Sequence, residues 1–133
     1  MTFKVIIAGS RDITDLTVVQ LAHANAMKVW WDEQVMKPLV EWEVVSGGAR
    51  GVDQLGEELG RLLSLPVKRF PAAWSKLGKV AGLTRNKQMA EYADALIAVW
   101  DGASRGTEHM ITTMNRLGKP VYIHIPEKKT HGN

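Results

Sequence analysis

Glu43-Val44-Val45-Ser46-Gly47-Gly48-Ala49-Arg50-Gly51-Val52-Asp53 decides how this chain folds. Paired valines in a short run read as a buried strand, and the glycines that follow end it. From Val52 onward the spacing changes. Val52, Leu55, Leu59 and Leu62 recur at the three- and four-residue steps of one helix face. Strand, glycine-rich turn and helix make half of a βαβ unit, which implies a parallel sheet. Gly56 and Gly60 sit inside that helix, where glycine costs stability. Close packing of the helix on the sheet is the expected compensation.

The same alternation extends in both directions. Residues 3–8 (FKVIIA) read as a strand closed by Gly9-Ser10-Arg11. Asp15 or Thr17 can cap a long helix running to about Met36, with Val19, Ala22, Ala26, Val29 and Met36 on one face and Pro38 ending the segment. Residues 66–70 (PVKRF) form a third strand, and residues 71–82 an irregular crossing with room for one helical turn. Thr84 is the expected cap of a helix through Tyr92. Residues 95–100 (ALIAVW) form the fourth strand, closed by Asp101-Gly102. A further helix ends near Leu117 with Gly118 as its C-terminal cap, and residues 120–125 (PVYIHI) form the last strand. Right-handed crossovers then predict an α/β protein: a three-layer α/β/α sandwich around a mostly parallel sheet of about five strands. The usual order for such a sheet is 3-2-1-4-5, with ligands bound outside the carboxyl ends where the order switches.

Composition narrows the function. The 133 residues suit one domain, read as residues 1–126 with a polar tail over 127–133. Hydrophobic content of 45% and charged content of 23% are those of a folded chain. No cysteine is present, which excludes disulfides, thiolate metal sites and a cysteine nucleophile. No apolar run approaches the ~20 residues that span a bilayer. The start, Met1-Thr2-Phe3-Lys4, enters a strand without the features of a signal peptide. A cytoplasmic protein with no membrane partner is expected. Net charge of +3 is a mild bias towards anionic partners, part of it carried by Lys128 and Lys129 in the tail. His23, His109, His124 and His131 lack metal-ligand spacing, so no metal site is expected.

The loops carry the chemistry. Gly9-Ser10-Arg11, the segment from Ser46 to Asp53, and the segment from Asp101 to Thr107 each follow a strand. Strands of a parallel sheet end on one edge, so the loops share one rim. The second and third loops run into helices, whose first turns offer unpaired N–H groups and a positive dipole end to phosphate. Glycine lets the backbone approach closely, and arginine brings a fork suited to phosphate oxygens. The candidate ligand-binding residues are Gly9, Ser10, Arg11, Ser46, Gly47, Gly48, Arg50, Gly51, Asp53, Asp101, Gly102, Ser104, Arg105, Gly106 and Thr107. Arg85 and Asn86, opening the next helix, can reach the same rim. Asp53 can bond a ribose hydroxyl or a loop N–H. Trp74 can stack on a base or pack its loop onto the body. Trp30-Trp31 and Trp42 read as core or subunit interface. Two adjacent tryptophans point to different faces of a helix, so one should reach the surface, and a homo-oligomer is expected. Neither G-x-G-x-x-G nor G-x-x-x-x-G-K-[ST] occurs, which disfavours an ordinary dehydrogenase or P-loop NTPase.

These loops together resemble the SLOG superfamily, a Rossmann-like group named for the Smf/DprA and Lonely Guy proteins, and most of all its small stand-alone YspA-type branch. The resemblance is carried by Val5-Ile6-Ile7-Ala8-Gly9-Ser10-Arg11, by Val45-Ser46-Gly47-Gly48-Ala49-Arg50-Gly51-Val52-Asp53, by Gly82-Leu83-Thr84-Arg85-Asn86 with Met89, and by Trp100-Asp101-Gly102 with Ser104-Arg105-Gly106-Thr107. It implies binding or sensing of a nucleotide or a derivative such as NAD or ADP-ribose. Lonely Guy enzymes carry P-G-G-x-G-T-x-x-E. Here Gly106-Thr107 matches, Met110 stands at the glutamate position, and Glu108 lies two residues earlier. Asp53 and Glu108 are therefore the catalytic candidates if the chain hydrolyses N-glycosidic bonds as nucleotide phosphoribohydrolases do. A third reading is single-stranded nucleic-acid binding as in DNA-processing protein A, which needs a positive groove interleaved with aromatics. Binding of a small nucleotide ligand is preferred over both.

Overall fold

Strands and helices alternate through the residues that a computed structural model describes, 2–33, 35, 41–72 and 78–127. They are β1 (Thr2–Gly9), α1 (Leu16–Asp32), β2 (Glu41–Ser46), α2 (Val52–Leu62), β3 (Val67–Arg69), a 3-10 turn (Gly78–Val80), α3 (Ala81–Tyr92), β4 (Ala95–Val99), α4 (Arg105–Arg116) and β5 (Val121–His124). The five strands form one sheet in the order β3-β2-β1-β4-β5. Every pairing is parallel, as the run of crossover helices requires. Val5 of β1 lies opposite Val44 of β2 on one side and Ala95 of β4 on the other, so β1 is the central strand. No helix among the described residues is long and apolar enough to cross a membrane.

Alternation along the strands gives the sheet two buried faces. Val5, Ile7, Trp42, Val44, Ile97 and Val99 point to the layer of α1 and α2. Ile6, Ala8, Val45, Leu96 and Ala98 point to the layer of α3 and α4. The sequence reading of α1 holds for Val19, Ala22 and Ala26, all fully buried, while Val29 is partly buried and Met36 and Pro38 lie outside the described residues. Asp15 is the N-cap of α1, and its carboxylate accepts from the Thr17 N–H at 3.0 Å. Trp30 is buried at 2% exposure and Trp31 is 52% exposed, as two successive positions on a helix require. Trp42 is buried beside Trp30 and Phe3, so it belongs to the core.

Helix α2 packs as its glycines demand. A Cβ at Gly56 would sit 2.7 Å from Ile7 Cβ, and one at Gly60 would sit 2.9 Å from Val67 Cγ2. Both glycines let the helix approach the sheet more closely than alanine would. Leu62 was expected on the core face but is 55% exposed; it is the last residue of α2, whose sheet-facing side there is taken by Leu59 and Gly60. Thr84 does not cap a helix. It lies inside α3, which begins at Ala81 directly after the 3-10 turn and has no side-chain cap. Gly82 is likewise helical rather than part of the crossing. At the end of α4 the expected glycine cap is present. Gly118 has φ +70°, its N–H bonds Asn115 O at 3.0 Å, and the Lys119 N–H bonds Met114 O at 3.1 Å, a complete Schellman pair.

Candidate functional site

At the carboxyl edge of β1, β2 and β4 a cleft of about 370 Å³ opens between the loops. Ala8, Gly9, Arg11, Asp12, Ala49, Arg50 and Asp53 line one wall. Arg85, Asn86 and Met89 of α3 and Ser104, Arg105, Gly106, Thr107 and Met110 on the α4 side line the other. A second hollow of about 480 Å³ adjoins it, lined by Arg11, Gly47, Gly48, Ala49, Arg50, Ala72 and Arg85. The three strand-end loops thus meet on one rim.

What holds them together is a residue the sequence offered as a ligand donor. Ser10 is 1% exposed. Its N–H donates to Val99 O at 3.1 Å, its carbonyl accepts from the Val52 N–H at 3.3 Å, and its hydroxyl oxygen accepts from the Asp101 N–H at 2.9 Å. Ser104 Oγ lies 3.3 Å from the same oxygen. Ser10 therefore ties all three loops and is a brace rather than a surface of the cleft. Ser46, fully buried, behaves alike: it accepts from the Gly48 N–H at 3.0 Å and donates to Glu57 Oε2 at 2.6 Å. Glu57 in turn pairs with Arg69, whose side chain lies across Gly48. Sequence reasoning missed this Ser46–Glu57–Arg69 buttress. Its only signal is that Glu57 stands four residues after Asp53 and so on the same side of α2.

The glycines divide by role. Gly51 has φ +80°, and a Cβ there would come 2.5 Å from Ser10 O and 2.6 Å from Arg11 Cα. It makes the contact between the first two loops. Gly47 was expected to leave room for a phosphate. The space above it is already taken: Arg85 Nη1 lies 2.6 Å and Asp53 Oδ2 2.9 Å from where its Cβ would be. Gly102 was expected at the cleft and is instead exposed, with nothing within 4 Å of a Cβ placed on it. Asp101 is likewise outside the lining. Its carboxylate accepts from the N–H groups of Ala103 and Ser104 and from the Ser104 hydroxyl, which shape the turn and hold its pKa down at about 2.

Charge is concentrated where those braces leave space. Arg85 is half-buried, donates to Gly47 O at 2.7 Å and to Asn86 Oδ1 at 3.2 Å, and faces both hollows. Burial lowers its pKa, with Asp53 opposing and Arg11 adding to that effect. Asn86 donates to Gly106 O at 3.1 Å and so fixes the first turn of α4 against α3. Neither α2, with Gly51 at its N-cap, nor α4, with Ser104, is closed by a side-chain cap. The opening residues of α4, Arg105, Gly106 and Thr107, line the cleft.

Asp53 is 5% exposed and faces the cleft. Burial pushes its carboxyl up to about 6, against the N–H groups of Ala49 and Gly9 and the charge of Arg85. Ala49 N donates to it at 3.3 Å. Glu108 is exposed on α4 and absent from the cleft lining, whereas Met110 forms part of the floor with Met89. Asp12, adjacent to Arg11 in the same loop, also lines the cleft and was not anticipated. Trp74 lies outside the described residues. The described linings of both hollows contain no aromatic side chain. No cluster of three metal-ligating side chains occurs among the described residues.

Sheet order, parallel pairing and a cleft at the carboxyl edge define a doubly wound α/β protein of Rossmann-like fold. The X-ray structure of the structural-genomics protein TM1055 is similar, with a TM-score of 0.59 and 20% identity over 91% of this chain and 72% of that one. At that identity the likeness speaks for the fold. No protein-family model matches the chain, and no curated protein matches it.

Proposed function

We propose that the chain belongs with the SLOG proteins and that its cleft binds a nucleotide or a nucleotide-derived ligand such as NAD or ADP-ribose. The observation that carries this reading is the gathering of Arg11, Arg50, Arg85 and Arg105 around one cleft that also receives the opening turn of α4. Backbone N–H groups, a helix dipole and guanidinium forks all favour phosphate oxygens. Arg50 is the sharpest test, since it is exposed and its loss disturbs no brace described above. Arg50→Ala is expected to weaken ADP binding by about 1.5–3 kcal/mol, the usual worth of a charged hydrogen bond. Isothermal titration calorimetry checks this; unchanged affinity would remove the phosphate site from this loop.

Hydrolysis of the N-glycosidic bond is the second reading, and the cleft-facing carboxyl of Asp53 favours it over one that relies on Glu108. Released base from AMP or NAD, suppressed by orders of magnitude in Asp53→Asn with binding kept, would promote it. Nucleic-acid binding has less support, because the described walls offer no aromatic platform. Self-association at the exposed Trp31 belongs to the same proposal; light scattering that finds only monomer at high concentration removes it.

A further inference from the structure

We propose that His109, which lies outside the cleft, is a positioning residue for it: its ring accepts a hydrogen bond from Asn86 and through Asn86 sets the Arg85 guanidinium and the first turn of α4. This rests on the anion-binding reading above and assigns to it a residue beyond the cleft walls. His109 lines an outer hollow between α3 and α4 together with Lys87, Glu91 and Arg116, and is absent from the lining of the cleft.

Asn86 is 6% exposed, and its side-chain amide is fully used. Nδ2 lies 3.1 Å from Gly106 O and 3.2 Å from His109 Nδ1, while Oδ1 accepts from Arg85 Nε at 3.2 Å. Two of these partners admit one role each: a carbonyl oxygen only accepts, and a guanidinium nitrogen only donates. They fix the orientation of the amide without reference to the imidazole. One hydrogen of Nδ2 then faces Gly106 O and the other faces His109, so Nδ1 carries a lone pair and the ring proton belongs on Nε2. An imidazolium, or the other tautomer, sets N–H against N–H. Turning the amide over sets Oδ1 against Gly106 O and Nδ2 against Arg85 Nε. Burial lowers the pKa of His109, as does the charge of Arg116, and both favour the neutral ring.

The row of bonds continues into the cleft, where Arg85 Nη1 donates to Gly47 O at 2.7 Å. Gly106 and His109 stand three apart on one face of α4, so this helix grips the amide at two points. His109, Asn86, Arg85 and Gly47 thereby join α4, α3 and the loop after β2. Loss of the acceptor at the outer end leaves a buried amide hydrogen unpaired, and the amide that directs Arg85 Nε is free to turn.

Nitrogen NMR of the full chain at mildly alkaline pH reads the relay without any ligand. An unprotonated Nδ1 and a protonated Nε2 are expected at His109; a proton on Nδ1 overturns the relay. His109→Leu is expected to weaken ADP binding roughly fivefold by calorimetry. His109→Asn places an acceptor oxygen close to the former Nδ1 and is expected to restore affinity to within about twofold of the parent. A loss in His109→Asn as large as that in His109→Leu, or a loss in neither, overturns the positioning role while leaving the nucleotide reading intact. Failure of the parent chain to bind ADP overturns the nucleotide reading and, with it, the site that the relay serves.

Discussion

The two layers that cover the sheet are built from different materials. Beneath α1 and α2 the packing is aromatic: Phe3 meets Trp30 and Trp42 edge-on at 5.8 and 5.4 Å, and His23 meets Trp42 at 5.1 Å. Beneath α3 and α4 the buried side chains are Met89, Met110 and Met114 with alanines, Ile6, Val45, Leu96 and Ile111, and the aromatics Phe70, Tyr92 and Trp100 pack against them only partly buried. Rings with two rotatable bonds and preferred edge contacts fix a geometry. Thioethers on flexible stems fill whatever shape remains. The cleft opens over the second layer, with Met89 and Met110 in its floor. A rigid side and an adaptable side thus share one sheet, and the cleft opens on the adaptable one.

The harshest way to break that contrast is Trp30→Ala. Removing a buried indole is expected to cost about 3–5 kcal/mol in urea unfolding. A loss below about 1 kcal/mol would mean that the aromatic layer does not anchor the fold.

Asp53 comes next, since it hangs from the aromatic-side helix and faces the cleft. The folded chain holds its proton more tightly than the unfolded chain, at about 6 against 3.8. Stability from this group is therefore greatest below the unfolded value and falls as pH rises through about 6. Asp53→Asn is expected to match the parent at pH ~4 and to exceed it by roughly 2–3 kcal/mol above neutrality. ADP-ribose, whose phosphates do not titrate in that range, should bind the parent more tightly as pH falls through 6, with a flat profile in the variant. Parallel profiles for the two proteins would show that Asp53 is ionised throughout.

A third comparison sets two positive-φ glycines against each other. Gly51, at φ +80°, is packed on the first loop, and Gly102, at φ +84°, stands in open space. Gly51→Ala should cost about 1–3 kcal/mol and weaken ADP binding, whereas Gly102→Ala should cost about 1 kcal/mol and leave binding unchanged. Thermal melts and calorimetry on both variants rank them; the reverse ranking would mean that the first two loops can part without loss. The smallest effect is expected at the adaptable floor. Met89→Leu should cost less than about 1.5 kcal/mol by thermal melt, a tolerance that the aromatic layer would not share.

The strands were legible because β-branched runs closed by glycine leave few other readings, and the all-parallel edge followed from the helices between them. Gly82 and Thr84 misled because each, taken locally, reads as an interruption or a cap; α3 begins instead from a 3-10 turn and is held by Met89 and Ala90 against the sheet. The site was legible as loops but not as roles. Ser46 and Glu57 are 11 residues apart, and Ser10 and Asp101 are 91 apart. Hydroxyls with such distant partners look the same in sequence as hydroxyls waiting for a ligand. The arginines were easier, since an exposed guanidinium in a glycine loop has few structural partners to hide with.

Ser10 has a consequence for how the molecule is made. Synthesis delivers β1 early, yet its neighbours in the finished sheet include β4, and the hydroxyl of Ser10 takes the N–H of Asp101. While a ribosome is still producing the middle of the chain, the central strand has one edge bare and the first loop has nothing to lean on. The cleft cannot exist as a nascent intermediate; it appears only when the late segment docks. Amide exchange at Asp101 and Val52 should therefore slow together, as a joint signal of completed assembly rather than of any one element.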